Sequence, residues 1–331
     1  MGLLPITQMS RLFNLQDLHI EVSSKCTLKC PRCPRTELGP AAINSEISLS
    51  EFCLAFPPDV LKDVKRILFC GDMGDPIYAT EFLEIIAYIK TCTDASIDIV
   101  TNGSYKKPVW WNQLGYWLTP KDTVVFSVDG WDHDSNNLYR VNSHWDSIIN
   151  GIKSLRENSY CRIKWSTIYF NFNEEHMDSI KELAKELGCD EWQSVKSSKF
   201  NGRYSVNGVD PLIPTDPNNI GTGVYQVSPV ILKRPRQIII RQQVDAHQWA
   251  KCLNWKKELF VNVEGLVFPC PWFNSGYQDN DFVEKYRDRL NIKTRSIIEV
   301  LEDPLWEEFI TRLETMPLEV CKIKCYNDCN G

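Results

Sequence analysis

The sequence has no apolar run approaching the ~20 residues that a membrane-crossing helix needs, so nothing in it reads as a transmembrane span. Its opening, Met1-Gly2-Leu3-Leu4-Pro5-Ile6, holds no basic stretch followed by a long apolar one, and no secretory signal is read there. Position six is Ile, not the Ser or Thr of a myristoylation signal, and the ending Asp328-Cys329-Asn330-Gly331 is not a prenylation box. A cytoplasmic location with no membrane contact is the expectation. An excess of basic residues is also missing. The 37 Lys and Arg stand against 43 Asp and Glu, a net charge of −6, which argues against an obligate nucleic-acid binder. Internal repeats and low-complexity tracts are absent as well.

What is present fits an ordinary globular chain. Apolar residues make up 43% and charged residues 24% of 331, enough to bury a substantial core in one large domain with a smaller one beside it. Cysteine is abundant, at 13. Without an export signal, tight groups of cysteines point to metal binding more than to disulfides. Eight fall in such groups; the other five, Cys53, Cys70, Cys92, Cys161 and Cys189, read as small buried hydrophobes.

From residue 17 to about 200, strand and helix patterns alternate. Strands are predicted at 18–22, 66–70, 97–100, 123–128, 162–170 and 192–200. Helices are predicted after Ser48 or Ser50, over 79–92 and 108–118, through Ile148, Ile149, Ile152 and Leu155, and from Met177 to a C-cap at Gly188. Such alternation means a parallel sheet with helices outside it. Six units are too few for a closed eight-stranded barrel, and an open sheet would satisfy the pattern equally. Residues 201–250 change character, with Asn, Gly, Asp and Pro clustered at 207–211 and 216–219, and read as a long functional loop or linker. Beyond it a hairpin, Leu259–Val263 with Leu266–Phe268 around Glu264-Gly265, and a helix near 303–314 are expected.

The first cysteine group, Cys26-Thr27-Leu28-Lys29-Cys30-Pro31-Arg32-Cys33, sits in the loop after the first strand. Three thiolates leave a structural zinc ion one ligand short. They can hold three irons of a [4Fe–4S] cube and leave the fourth open. C-x3-C-x2-C at this place resembles the signature of the radical S-adenosylmethionine (radical SAM) superfamily. The resemblance implies that the open iron binds the methionine moiety of SAM, which is cleaved reductively to a 5′-deoxyadenosyl radical that abstracts hydrogen. It also implies a partial (β/α)6 barrel. The position before the third cysteine, often aromatic in the family and packed near the adenine, is Arg32 here.

Three further segments fall at strand ends. Met73-Gly74-Asp75-Pro76 resembles the family's Gly-Gly-Glu-Pro stretch, whose backbone holds the methionine ammonium; it departs at Met73 and Asp75. Thr101-Asn102-Gly103 and Ser127-Val128-Asp129-Gly130 resemble segments that line the SAM site, and Arg140 falls where similar enzymes place an arginine near the SAM carboxylate. Polar clusters at the C-terminal ends of successive parallel strands are where active sites sit. Each one alone is equally a plain turn.

Cys252, twelve residues, Gly265, four residues and Cys270 resemble the opening of the SPASM and Twitch extensions of radical SAM enzymes. Cys321, Cys325 and Cys329 follow. Five cysteines suffice for one auxiliary [4Fe–4S] cluster and not for two, so the resemblance implies a small Cys-rich α+β domain of the single-cluster, Twitch-like kind. Zinc is the alternative by ligand type. The chain thus divides into a partial barrel over 1–200, a linker or substrate loop over 201–250, and an auxiliary cluster domain over 251–331. The expected activity is hydrogen abstraction from a peptide or small molecule, with oxidation, cross-linking or epimerisation as outcomes. An electron donor such as flavodoxin or ferredoxin would serve it. With the first strand expected near residue 17, no leader-recognition module is expected before it, which removes one usual mark of a peptide modifier without excluding a peptide substrate. The other readings are a nucleotide or carbohydrate substrate, a methyltransferase or sulfur inserter, and a zinc-stabilised binding protein with no enzymatic activity.

Overall fold

The computed structural model describes residues 15–200, 205–221, 252, 258–273, 285–315, 321 and 325. The chain begins with strand β1 (Asp17–Ile20), in which Leu18 and Ile20 are buried and alternate with partly exposed Asp17 and His19. The cysteine loop leads into a short helix α1 (Pro34–Leu38), which the sequence reading missed. Its start signal was there: Cys33 is the N-cap and Pro34 opens the first turn, where a missing N–H costs nothing. Helix α2 (Leu49–Ala55) starts at Ser48 through a capping box with Glu51, and α3 (Pro58–Leu61) follows.

The units then repeat: β2 (Arg66–Phe69), α4 (Phe82–Cys92), β3 (Ser96–Thr101), α5 (Pro108–Trp117) and β4 (Thr123–Ser127). After a short α6 (His133–Asn137) come α7 (Trp145–Asn158), β5 (Arg162–Ile168), α8 (Met177–Glu186) and β6 (Glu191–Val195). These elements form where their apolar positions recur at the right period. Ile67 and Phe69, Ile97 and Ile99, Val124 and Phe126, Ile163 and Trp165 all bury one face of the sheet. Phe82, Ile85, Ile86 and Ile89 of α4, Leu114 of α5, and Ile148, Ile152 and Leu155 of α7 cover it. Gly151 lets α7 lie directly on Trp111; a Cβ there would come within 2.6 Å of the indole nitrogen.

All of β1 to β6 run parallel in the order β6-β5-β4-β3-β2-β1, an α/β fold. Four strands separate β1 from β6, which would stand about 24 Å apart in a flat sheet. Yet Arg32 Nη1, in the loop after β1, donates to the carbonyl of Lys199, just past β6, at 2.7 Å. The sheet therefore curls, and the loops at its C-terminal rim meet across it.

The expected hairpin forms as β7 (Glu258–Val261) and β8 (Val267–Phe268), turning at Gly265 with φ +86°. Its placement was not legible locally. β7 pairs parallel with β1, so the hairpin extends the barrel's own sheet. Helices α9 (Ile297–Leu301) and α10 (Pro304–Thr315) bury Ile297, Val300, Trp306 and Phe309 in the same core. Of the expected linker, 205–221 are described and hold a tight Val206–Val209 turn and a 3₁₀ turn at Pro217–Asn219. Residues 222–250 lie outside the described residues. No helix among the described residues is long and apolar enough to cross a membrane.

Candidate active site

The cysteine loop is braced from several sides. Thr27 Oγ1 bonds the Tyr78 hydroxyl at 2.8 Å, Asn142 Nδ2 donates to the Thr27 carbonyl at 2.7 Å, and Lys29 N donates to the Val141 carbonyl at 2.9 Å. Cys33 N closes a turn on the Cys30 carbonyl at 3.1 Å. Leu28 and Cys30 pack with Tyr139 and Phe170, while Cys26, Cys33, Phe172, Phe200 and Leu212 flank that cluster. Burial pushes the Cys26 thiol up to about 12 and the Cys30 thiol to about 11, and each is raised further by its neighbouring cysteines. The three sulfurs therefore feel one another. Cys26 and Cys30, as free thiols, are protonated at neutral pH, so loading a metal there must release protons. Among the described residues no three His, Cys, Asp or Glu side chains are arranged around a single metal ion. Ligands of an iron–sulfur cube bind different irons and stand further apart than ligands of one ion.

Arg140 is the cation whose charge acts on Cys30. Its Nε donates to Asp129 Oδ2 at 2.6 Å, and its positive charge pulls the Cys30 thiol down against burial. Burial alone would lower Arg140; the Asp129 carboxylate and the Cys30 sulfur outweigh it and hold the guanidinium charged. Asp129 is fully buried and also accepts from Ile168 N at 2.7 Å. A fixed positive charge beside a cluster of thiolates suits a site that must carry negative charge. The electrostatic and apolar surroundings thus fit a cube held by Cys26, Cys30 and Cys33.

The segment after β2 is pressed against the cysteine loop. A Cβ on Gly74 would lie 2.3 Å from the Ser23 carbonyl oxygen, and Asp75 N donates to the Lys25 carbonyl at 3.1 Å. Pro76 starts a 3₁₀ turn capped by the Asp75 side chain. Asp75 itself is not an open ligand. Its carboxylate accepts from Ile77 N at 3.2 Å, Thr101 Oγ1 at 2.9 Å, Asn102 N at 2.6 Å and Asn102 Nδ2. Burial raises it to about 6, against the pull of those donors. Asp75 therefore fixes Thr101 and Asn102, and Asn102 Nδ2 reaches the Cys26 sulfur at 3.7 Å. Met73 contributes its backbone N–H to Glu21 Oε1 at 2.6 Å. Ser127 closes β4 opposite Ser166 of β5, half-buried.

Two acids at this rim were not singled out from sequence. Glu21 is buried and also receives the Val263 N–H at 3.4 Å, so it joins the loop after β2 to the end of β7. Burial and then the neighbouring Asp72 raise it to about 7. Asp72 is itself raised by burial, and its Oδ2 is enclosed with no hydrogen-bond partner. Strand alternation places Glu21 at the rim but cannot reveal the backbone donors that converge on it.

In the C-terminal part, the Cys252 and Cys270 side chains are hydrogen-bonded, and Cys321 lies close enough to raise Cys270 further. Cys270, Cys252 and Cys325 pack on the core that includes Cys321. The turn that aligns the first two is closed by Gly265 N to the Asn262 carbonyl at 2.9 Å. Cys329 lies outside the described residues.

No family model matches the chain, and no curated protein matches it in sequence. Solved structures do. SuiB of Streptococcus suis bound to S-adenosylmethionine superposes with a TM-score of 0.57 at 14% identity, over 94% of this chain and 72% of SuiB. The same protein bound to its precursor peptide SuiA gives 0.54 at 15% identity, over 96% and 73% of the two chains. Native anSMEcpe with bound AdoMet gives 0.54 at 17% identity, over 89% and 83%. At such identities the likeness is one of fold, and the chain has the radical SAM fold.

Proposed function

We propose that this chain is an enzyme that reductively cleaves S-adenosylmethionine and uses the resulting radical to abstract a hydrogen atom from a peptide or small molecule, leading to oxidation, cross-linking or epimerisation. The observation that carries this reading is the meeting of Cys26, Cys30 and Cys33 with the Arg140–Asp129 pair at the C-terminal rim of the parallel strands. Cys26, Cys30 and Cys33 would hold a [4Fe–4S] cluster, which would supply one electron at low potential. The protein's own residues do the rest. Arg140 balances charge beside Cys30, while Asp129 holds Arg140 in place. Gly74 lets the Met73–Pro76 backbone approach the cysteine loop, and Asp75 sets Asn102. Ser127 and Asn102 offer polar groups for the nucleoside and carboxylate ends of the cosubstrate.

A peptide is favoured as substrate because SuiB, of the same fold, has been solved with its precursor peptide. We assign Cys252, Cys270 and two of Cys321, Cys325 and Cys329 to one auxiliary [4Fe–4S] cluster, in a domain over 251–331 that follows the barrel (1–200) and the loop (201–250). A flavodoxin or ferredoxin would deliver the electrons.

The test is anaerobic reconstitution with iron and sulfide, followed by SAM and dithionite. 5′-Deoxyadenosine should form with the wild type. It should be absent in the Cys26→Ala/Cys30→Ala/Cys33→Ala variant, which should keep the iron of the auxiliary cluster. SAM cleavage by the triple variant would sink the proposal.

A further inference from the structure

The rim of the barrel is crossed by a strap, seen as residues 196–200 and 205–221. It leaves β6 and, among the described residues, is fastened at four places. Gly221 N donates to the Ser197 carbonyl at 2.9 Å, which folds the strap back on itself. Thr215 N and Asp216 N donate to the Glu174 carboxylate at 2.7 and 3.2 Å, and Asn171 N donates to the Leu212 carbonyl at 3.3 Å. Those contacts hold it to the loop after β5. The fourth fastening is different in kind. Arg32, inside the cysteine loop, forms an ion pair with Asp210 in which the two side chains are 2% and 6% exposed. The same guanidinium donates to the Lys199 carbonyl at 2.7 Å and lies under the Phe200 ring, 4.6 Å from its centroid. Phe200 and Leu212 then flank the cluster that buries Cys30.

We infer that Arg32 and Asp210 are positioning residues forming a latch, which closes the strap over the cysteine loop and keeps water from the Cys30 thiol. This rests on reading that loop as the reactive centre, where excluding water strengthens every electrostatic contact and suppresses side reactions. Burial sets the cost of breaking this pair. Removing one member of a buried pair leaves an uncompensated charge that must reach water, whereas replacing both members by apolar side chains leaves none. The strap has its own anchors at Glu174 and Asn171, so losing the latch should free its Arg32 side and leave the barrel intact.

The test uses the full-length chain in metal-free, reduced form, so its outcome does not depend on whether SAM is cleaved. Iodoacetamide labelling is followed cysteine by cysteine by mass spectrometry. Cys30, 7% exposed, reports on the rim, and Cys161, 1% exposed at the start of β5, reports on the barrel wall. Asp210→Leu should speed labelling of Cys30 by about a hundredfold and leave Cys161 unchanged, since an unpaired buried charge shifts an opening equilibrium by at least that factor. Arg32→Met/Asp210→Leu keeps the same residue at 210 but removes the stranded charge, and should restore most of the protection. An unchanged Cys30 rate in the single variant would overturn the latch. So would a parallel rise at Cys161, which would mark a general loss of stability, or a double variant no better protected than the single one.

Discussion

Single residues at the rim owe their properties to neighbours far away in sequence. Glu21 is the clearest case, since its carboxylate is buried and faces Asp72 while taking N–H donors from the loop after β2 and from Val263. Its pKa is raised from 4.5 to about 7, so the folded chain binds this proton more tightly than the unfolded chain. Stability from this group is therefore fully present below about pH 4.5 and declines as pH rises through 7. Over that window the effect amounts to roughly 3 kcal/mol. Glu21→Gln removes the titration and should flatten that part of the stability profile, making the variant relatively more stable than wild type at pH 8 than at pH 5. Urea unfolding across that range checks it, and parallel profiles would show that Glu21 stays charged throughout. The sequence pointed to Asp129 by its place just past a strand end and to Arg140 only through the family resemblance, and the structure brings the two together as an ion pair. Glu21 was not legible, because a carboxylate ending an alternating strand looks the same whether it faces water or a backbone N–H.

At the level of elements, most of the fold was readable. The six parallel strands and their helices follow from apolar periodicity, and Ser48 and Gly188 mark ends by capping and by a φ of +85°. What was not readable is which elements touch. The parallel pairing of β7 with β1 joins residues about 240 apart, and nothing local in Glu258–Val261 specifies it. The packing of the loop after β2 on the cysteine loop is of the same kind, and one residue permits it. Gly74→Ala would drive a methyl group to 2.3 Å from the Ser23 carbonyl oxygen and 2.5 Å from Ser24 backbone atoms, neither of which can rotate away. The two loops must then separate, at a cost of about 3 kcal/mol, the upper end of overpacking in a fixed environment. The variant should also bind SAM more weakly, as Asp75 N would lose the Lys25 carbonyl. Urea midpoints together with SAM titration of the reconstituted protein test this. A variant as stable as wild type would mean that the loops are not in such close contact.

The whole molecule is organised by two groups of cysteines on one sheet. The first lies after β1, and the second is reached through β7, which pairs with β1 on its other side. β1 thus carries the cysteine loop at its end and the C-terminal hairpin along its flank, and Glu21 ties that hairpin to the loop after β2 at the rim. This shared scaffold separates what each group should do. A cluster joining Cys252 and Cys270 to the cysteines from Cys321 onward would close a loop of more than fifty residues, a constraint that removes much conformational freedom from the C-terminal part. Cys252→Ala/Cys270→Ala should therefore lower iron from about eight to about four per chain, the content of one cube. The region beyond residue 285 should become sensitive to protease, because α9 and α10 would then rely on side-chain packing, by Ile297, Val300, Leu305, Trp306, Phe309 and Leu313, without the cluster's link. SAM cleavage without substrate should survive, since Cys26, Cys30 and Cys33 are untouched, while turnover of a peptide substrate should fall as the second redox centre or the wall beside the substrate is lost. Metal analysis of the anaerobically purified wild type decides between the two chemistries open to this donor set. Stoichiometric zinc with iron near four would make the second site a zinc site, and the C-terminal part would then shape the barrel's flank without carrying electrons.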